Sequence, residues 1–117
     1  MTARPEKYIL DRSSGIVPQF QGVGVETSGD TTLVAARYGQ RIRVYAVSLF
    51  SADDVVIYFR SDAGGTAITG SFDFHPRGDL VMPFSQVGWF ETADGATLEI
   101  NLSADVYVGG VVVYGYV

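Results

Sequence analysis

The chain has 117 residues, of which 47% are hydrophobic, 18% are charged and none is cysteine. A chain of this size forms one domain that buries roughly two-thirds of its surface without cross-links, and it can contain neither disulfides nor cysteine-based zinc sites. Eight basic against thirteen acidic side chains give a net charge of −5, which argues against the clustered positive surface that nucleic-acid binding requires.

The charged fraction is low for a soluble domain, where roughly 25% is usual, so we expect part of the apolar surface to meet another chain. No window approaches the roughly 18 consecutive apolar residues of a membrane span, and residues 1–11 lack the apolar stretch of a secretory signal. The sequence therefore predicts no membrane partner.

Residues 1–30 are predicted to form an extended N-terminal arm, and residues 31–117 a β-sandwich domain. The arm contains three polar clusters and two of the four prolines, and its apolar residues come in runs too broken for a central strand. We expect these runs to contact a capsid or a neighbouring subunit, at a sheet edge or in surface pockets. The residues concerned are Tyr8, Ile9, Leu10, Ile16, Val17 and Phe20. On this interpretation, a chain that lacks the residues before Thr27 still folds.

From Thr31 onward, strand signals recur between glycine and Asp/Ser clusters. The predicted strands are Thr31–Ala36, Gln40–Phe50, Val55–Ser61, Ile68–Phe74, Leu80–Phe84, Trp89–Thr92, Thr97–Ser103 and Val106–Val117. The turn formers at 62–66 predict a hairpin between the third and fourth of these. The pattern predicts an all-β fold, an antiparallel β-sandwich of the jelly-roll type.

The clearest alternation places Leu98, Ile100 and Leu102 on one face of a strand, which predicts that they lie in the core. Trp89 is predicted to be buried beneath that strand as an anchor of the core, because so large an apolar side chain is costly to expose. The closing stretch 106–113 is apolar on both faces, whereas a sandwich core covers only one face of a strand. We therefore expect a homotrimer or another threefold cluster that covers the second face.

His75 is the one histidine in the sequence, and Asp73 would share its face on a strand. Because no nucleophile motif such as Gly-x-Ser-x-Gly accompanies this pair, it is interpreted as a strand end followed by a turn at Pro76. Asp53 and Asp54 lack the spaced oxygen pattern of a calcium loop and are predicted to form a solvated hairpin turn. We therefore expect no enzymatic activity, no cofactor and no metal.

Three further patterns have both a structural and a functional interpretation. Gly22-Val23-Gly24 lacks the third glycine and the following helix of a phosphate-binding loop. Arg77-Gly78-Asp79 is the tripeptide that integrins bind, but after a proline it is also ordinary for a tight turn. Seven aromatic residues could form a sugar-stacking platform, although Tyr and Trp in strands suit core and subunit contacts at least as well. They are Tyr45, Tyr58, Trp89, Phe90, Tyr107, Tyr114 and Tyr116.

From Gln40 to the end, about two-thirds of the chain, the order of features resembles small structural proteins of tailed bacteriophages. The most specific part is Gly-Trp-Phe-Glu-Thr at 88–92. The other parts are Arg41–Val44, a glycine-rich turn at Ala63–Gly70, Met82–Phe84, and the run from Gly95 through Leu98–Ser103 to Gly109, Gly110 and Tyr114. The family resembled is that of head decoration, or cement, proteins. The resemblance implies β-sandwiches on the outside of a capsid, often trimeric and fastened by an extended arm, without catalytic residues.

Two functions follow as hypotheses. The first is a non-enzymatic virion structural protein, a decoration protein bound in many copies to the outer surface of a bacteriophage head and assembled in the host cytoplasm, with the major capsid protein as its partner. The alternative is a small tail or fibre component that binds a host-surface glycan or receptor. Exposed aromatic residues clustered with Asp or Asn would favour the alternative.

Overall fold

The computed structural model describes residues 17–117, and every regular element in that range is a β-strand. Within the range no helix is long and apolar enough to cross a bilayer. The strands are β1 (Gln19–Val25), β2 (Gly29–Val34), β3 (Ile42–Ser51), β4 (Val55–Ser61), β5 (Thr66–Ala67), β6 (Phe72–Phe74), β7 (Asp79–Met82), β8 (Phe90–Glu91), β9 (Leu98–Leu102) and β10 (Val108–Tyr116).

The strands form two antiparallel sheets that pack face to face. Sheet A has the order β1-β10-β3-β7, and β8 pairs with a separate part of β3. Sheet B has the order β2-β9-β4-β5, and β6 pairs with a separate part of β4. The predicted all-β antiparallel sandwich is confirmed, and the jelly-roll assignment stays a prediction.

The core lies between the two sheets and consists of the inward-facing residues of each strand. In sheet B, Leu98, Ile100 and Leu102 of β9 are fully buried beside Phe59 and Ile57 of β4, as their alternation predicts. Sheet A contributes a matching buried row from β3 and β10. That row contains Ile42, Val44, Val47, Leu49, Val108 and Val112.

Trp89 does not lie in the core, and the prediction that it anchors the core is wrong. Its surface is 47% exposed, and its indole N–H donates a hydrogen bond to the carbonyl oxygen of Pro83 at 2.8 Å. The next residue, Phe90, packs against Phe59 instead, with ring centroids 5.0 Å apart. Because successive residues of an extended chain face opposite sides, an inward Phe90 turns Trp89 outward.

The sandwich begins before residue 31, so the predicted boundary of the arm is corrected. β1 forms a seven-residue ladder with β10 and buries Val23 and Val25 in the core. The sequence gives no clear signal for this strand, because glycines 22 and 24 occupy the outward-facing positions. Without side chains there, the alternation of polar and apolar residues is not visible. A truncation before Thr27 removes this strand as well, so it cannot leave the sandwich intact.

Two of the residues predicted to contact a capsid or a subunit lie in the described range. Val17 is 70% exposed, and Phe20 is 75% exposed. Phe20 belongs to β1 and alternates with the buried valines of that strand, so its ring projects from the outside of sheet A. The predictions for Tyr8, Ile9, Leu10 and Ile16 lie outside the described residues.

The predicted hairpin at residues 62–66 is confirmed by the pairing of β4 with β5. Asp62 has a φ of 66°, and a Cβ at Gly65 would overlap the carbonyl oxygen of Ser61, so this turn needs a glycine there. The hairpin predicted at Asp53 and Asp54 is wrong. These exposed residues join β3 of sheet A to β4 of sheet B, so they mark a crossing between sheets.

Ile100→Ala is expected to lower the free energy of unfolding by about 2–5 kcal/mol, because it opens a cavity at a fully buried position between the sheets. Urea titration followed by circular dichroism measures this loss as a lower midpoint at an unchanged slope. The control is Val87→Ala in the loop before β8, where the side chain is 81% exposed. Its stability should stay within about 0.5 kcal/mol of the unsubstituted chain. Equal losses in both variants would contradict this assignment of the core.

Gly110→Ala is expected to destabilise the sandwich, because φ is 148° at this position and a Cβ would overlap the Ser48 carbonyl oxygen on β3. Backbone strain of this kind costs about 1–3 kcal/mol, and the overlap adds to it. Gly70→Ala is the matched control, since its Cβ would meet no atom within 4 Å. Thermal unfolding should show a lower Tm for Gly110→Ala only. An unchanged Tm for that variant would mean that β10 does not approach β3 so closely.

Candidate interaction surface

The two residues considered as a catalytic pair are not hydrogen-bonded to each other. β6 ends at Phe74, so His75 lies beyond the strand, and the partner of its Nδ1 is Oδ1 of Asp54 at 3.4 Å rather than Asp73. Both members of this contact are more than two-thirds exposed, at 78% and 74%. Across residues 17–117, no group of His, Asp and Glu side chains is arranged to hold a metal ion. The His75 contact is therefore a surface pair.

A cleft of about 500 Å³ opens between β6 and β7, where the edges of the two sheets meet. Its lining includes Phe72, Phe74 and Leu80, which also pack on the core, together with His75 and Asp79. The two strands that border it have three and four residues, too few to close this side of the sandwich. We interpret the cleft as the side of the sandwich where the two sheets are not closed by a long strand.

One part of the outward surface of sheet A is almost entirely uncharged and is called the apolar face below. It consists of three rows of residues, two that cross strands β1, β10, β3 and β7 and one that crosses β1, β10 and β3. The first row is Gly24, Gly109, Phe50 and Asp79; the second is Gly22, Val111, Ser48 and Val81; the third is Phe20, Val113 and Ala46. Asp79, at a corner, is the one charged residue in these rows.

Two aromatic rings, called the aromatic wall, stand along the first row. The rings of Phe50 and Tyr107 lie 6.0 Å apart at an angle of 59°. Tyr107 covers Gly109, where a Cβ would come within 2.8 Å of its ring and 3.1 Å of Phe50. A glycine at this position therefore lets both rings lie against the sheet.

The apolar face is well exposed. Phe20 is 75% exposed, Val81 64%, Phe50 47% and Tyr107 42%. Val111 and Val113 are half-buried on this side of β10. This is the second apolar face of the closing strand, which the sequence indicated would need a cover, and residues 17–117 leave it uncovered.

The outward surface of sheet B, called the polar face, contains charged residues that are paired within the chain. Glu99 in the central strand β9 is only 2% exposed. Its Oε2 accepts hydrogen bonds from the hydroxyl groups of Thr32 and Thr97, each at 2.6 Å. A buried carboxylate without such donors would strongly destabilise the fold.

Asp30 is the second carboxylate of the polar face. It accepts hydrogen bonds from the Asn101 amide at 2.7 Å, the Gly64 backbone N–H at 2.7 Å and the Arg60 guanidinium at 3.1 Å. Arg60 also lies over the ring of Tyr58, 5.2 Å from its centroid. Burial raises the pKa of Asp30, but the hydrogen bonds from Asn101, Gly64 and Arg60 outweigh burial, so this pKa lies below its ordinary value.

Arg41 and Arg43, which lie two residues apart, are paired with carboxylates at the end of sheet A. Nε of Arg43 lies 2.8 Å from one oxygen of Glu91, and Nη1 of Arg41 lies 3.1 Å from the other. Arg41 also contacts Asp94 at 3.4 Å. The hydrogen bond from Arg43, reinforced by Arg41, lowers the pKa of Glu91. This basic pair is therefore neutralised within the chain.

The seven aromatic residues do not form one sugar-stacking platform. Tyr45 and Tyr114 are buried, and Phe90 packs against the core. Tyr107 belongs to the apolar face, whereas Tyr58 lies on the polar face. Sequence reasoning did not identify Phe50 and Val81 as part of this face. Strict alternation from Ile42 and Val44 would turn Phe50 inward, but the β3–β10 register shifts after Val44, and this irregularity turns Phe50 outward.

Comparison with known proteins shows a fold relationship. No protein-family model and no curated protein matches the sequence. A protein from the disulfide-linked pili of Bacillus endospore appendages is 18% identical, with a TM-score of 0.50 and an alignment that covers 86% of each chain. A chain from the virus-like particle of the extra small virus of the giant freshwater prawn Macrobrachium rosenbergii is 14% identical, with a TM-score of 0.38, over 86% of this chain and 79% of that one. The likeness to the appendage protein shows a shared fold.

Asp30→Asn is expected to destabilise the protein at pH 7, and the difference from the unsubstituted chain should shrink in acid. Because the pKa of Asp30 in the folded protein lies below its ordinary value of 3.8, ionised Asp30 stabilises the fold above that value. The contribution is lost as the pH falls through the folded pKa. Urea unfolding at neutral pH and at about pH 3 measures the two differences. Asp73→Asn, at an exposed position of the same sheet, is the control, and a loss for Asp30→Asn that does not depend on pH contradicts this assignment.

Proposed function

We propose that this chain is a non-enzymatic structural protein of a virion, a capsid decoration protein that binds the outer surface of a bacteriophage head in many copies. The observation that carries the proposal is the contrast between its two outward faces. Glu99 and Asp30 on the polar face are hydrogen-bonded within the chain, whereas the apolar face exposes Phe20, Phe50 and Val81. An exposed apolar surface of this kind marks a contact with another macromolecule.

The shared fold supports an assembling role. The appendage protein of the same fold is a component of pili, so a sandwich of this kind can serve as the subunit of a large assembly. Those pili are disulfide-linked, whereas this chain has no cysteine. Its residues therefore form no disulfide link, and burial of the apolar face supplies a driving force for non-covalent contacts.

In the proposed assembly, the chain forms a homotrimer and its partner on the shell is the major capsid protein. The half-buried valines of β10 and the rings beside them require a cover that one sandwich does not provide. Contacts between copies provide that cover. The N-terminal residues add further contacts, to a neighbouring copy or to the shell.

A tail or fibre component that binds a glycan is the alternative function. Such a site needs polar groups that are free to bind sugar hydroxyls beside an exposed ring. On the polar face, Tyr58 stands opposite Asn101, and Asp30 lies beside Asn101 on the next strand. Asn101 donates a hydrogen bond to Asp30, which also accepts from Arg60. The polar face therefore does not favour a glycan site at Tyr58. The feature that favours this alternative is on the apolar face, where Asp79 lies beside Phe50 and Tyr107.

The number of copies per purified particle tests the proposed function. Quantitative mass spectrometry with isotope-labelled peptides, calibrated against the major capsid protein and against one tail protein of the same particle, should give hundreds of copies of this chain. A few to a few dozen copies would overturn the decoration role and favour the tail or fibre alternative. Absence from the particle would contradict both.

A further inference from the structure

The middle row of the apolar face forms a shallow trough. Gly22, Val111 and Ser48 have short side chains, and they lie between the aromatic wall on one side and Phe20 on the other. Neighbouring rows are two residues apart along each strand, so the two walls stand about 14 Å apart. A trough of this width can hold one extended chain segment with its side chains.

The size of the apolar face also favours a segment over a globular partner. Four strands and three rows cover an area of about 20 Å by 20 Å once the side chains are included. A stable interface between globular proteins buries about 800 Å² on each partner, roughly twice this area. An extended segment can use a narrow surface fully and continue beyond it.

The first sixteen residues of the chain have the chemistry that such a trough requires. Tyr8, Ile9 and Leu10 are consecutive and apolar. Residues 1–16 contain three basic and two acidic side chains, whereas residues 17–117 contain five basic and eleven acidic ones. The segment and the sandwich are therefore opposite in net charge, and the charged residue within the rows of the face is the acidic Asp79.

The junction between this segment and β1 lies at Val17 and Pro18. Val17 precedes Pro18, and a residue before proline is confined to extended conformations. The chain therefore enters β1 without reversing at this point, and Val17 is 70% exposed. Sixteen extended residues reach at most about 55 Å, which is enough to span a neighbouring sandwich.

We propose that the apolar face of one copy binds the N-terminal segment, residues 1–16, of a second copy, with Tyr8–Leu10 across the trough formed by Gly22, Val111 and Ser48. This inference rests on the self-association that the proposed function includes. It does not depend on which particle the protein belongs to.

The absence of native cysteine allows a direct test by disulfide trapping between full-length chains. Leu10→Cys is mixed with Ser48→Cys, which places a thiol in the trough by a nearly isosteric change, and the mixture is oxidised in a glutathione buffer. The control acceptor is Ser71→Cys, an exposed serine outside the apolar face. Non-reducing electrophoresis and peptide mapping should show several-fold more mixed disulfide from Leu10→Cys to Ser48→Cys than from Leu10→Cys to Ser71→Cys. Equal yields with the two acceptors would overturn the proposal.

The double variant Leu10→Cys/Ser48→Cys separates contact between copies from contact within one chain. If the segment binds the apolar face of a second copy, oxidation gives disulfide-linked oligomers. A monomer with an internal disulfide would mean that the segment binds the apolar face of its own chain, and would overturn the proposal. Val81→Arg, at an exposed position of the same row, should reduce trapping without changing the circular dichroism spectrum. Because these experiments use purified protein, they can fail while the particle still contains hundreds of copies, so the two proposals fail separately.

Discussion

The pairing of β10 with β3 is the constraint on which both surfaces of sheet A depend. Its register places Val47 and Val112 together in the core, and Ser48 and Val111 together on the apolar face. Because side chains alternate along a strand, a slip of one residue would exchange the two sets. Gly110 makes this register possible, since any larger residue would overlap the backbone of β3. The core and the outer face are therefore determined by the same pairing.

Features that depend on local periodicity could be predicted from the sequence. The alternation of Leu98, Ile100 and Leu102 is contained in one strand, and the hairpin at 62–66 is contained in one turn. The position of Trp89 could not be predicted from its size, because the direction of its side chain depends on which neighbour enters the core. β1 was not predicted, because glycines stand where side chains would otherwise mark its outward-facing side.

The apolar face could be predicted only in part. The valines of β10 indicate locally that both sides of this strand are apolar. Phe20 and Val81, however, come from opposite edges of sheet A and are far apart in the sequence. Only the complete strand order brings them into one surface. Composition alone indicates that apolar surface is available for another chain, whereas topology shows where it lies.

The exposed rings of the apolar face show how long a segment their burial alone could order. Phe20, Phe50 and Tyr107 expose 75%, 47% and 42% of their surfaces, which at about 200 Å² per aromatic residue amounts to about 330 Å². Covering that area contributes about 8 kcal/mol, and ordering one residue of backbone costs about 1–2 kcal/mol. The gain offsets the ordering of about four to eight residues. This length matches the proposed contact through Tyr8–Leu10, in which the rest of the segment would link the two copies.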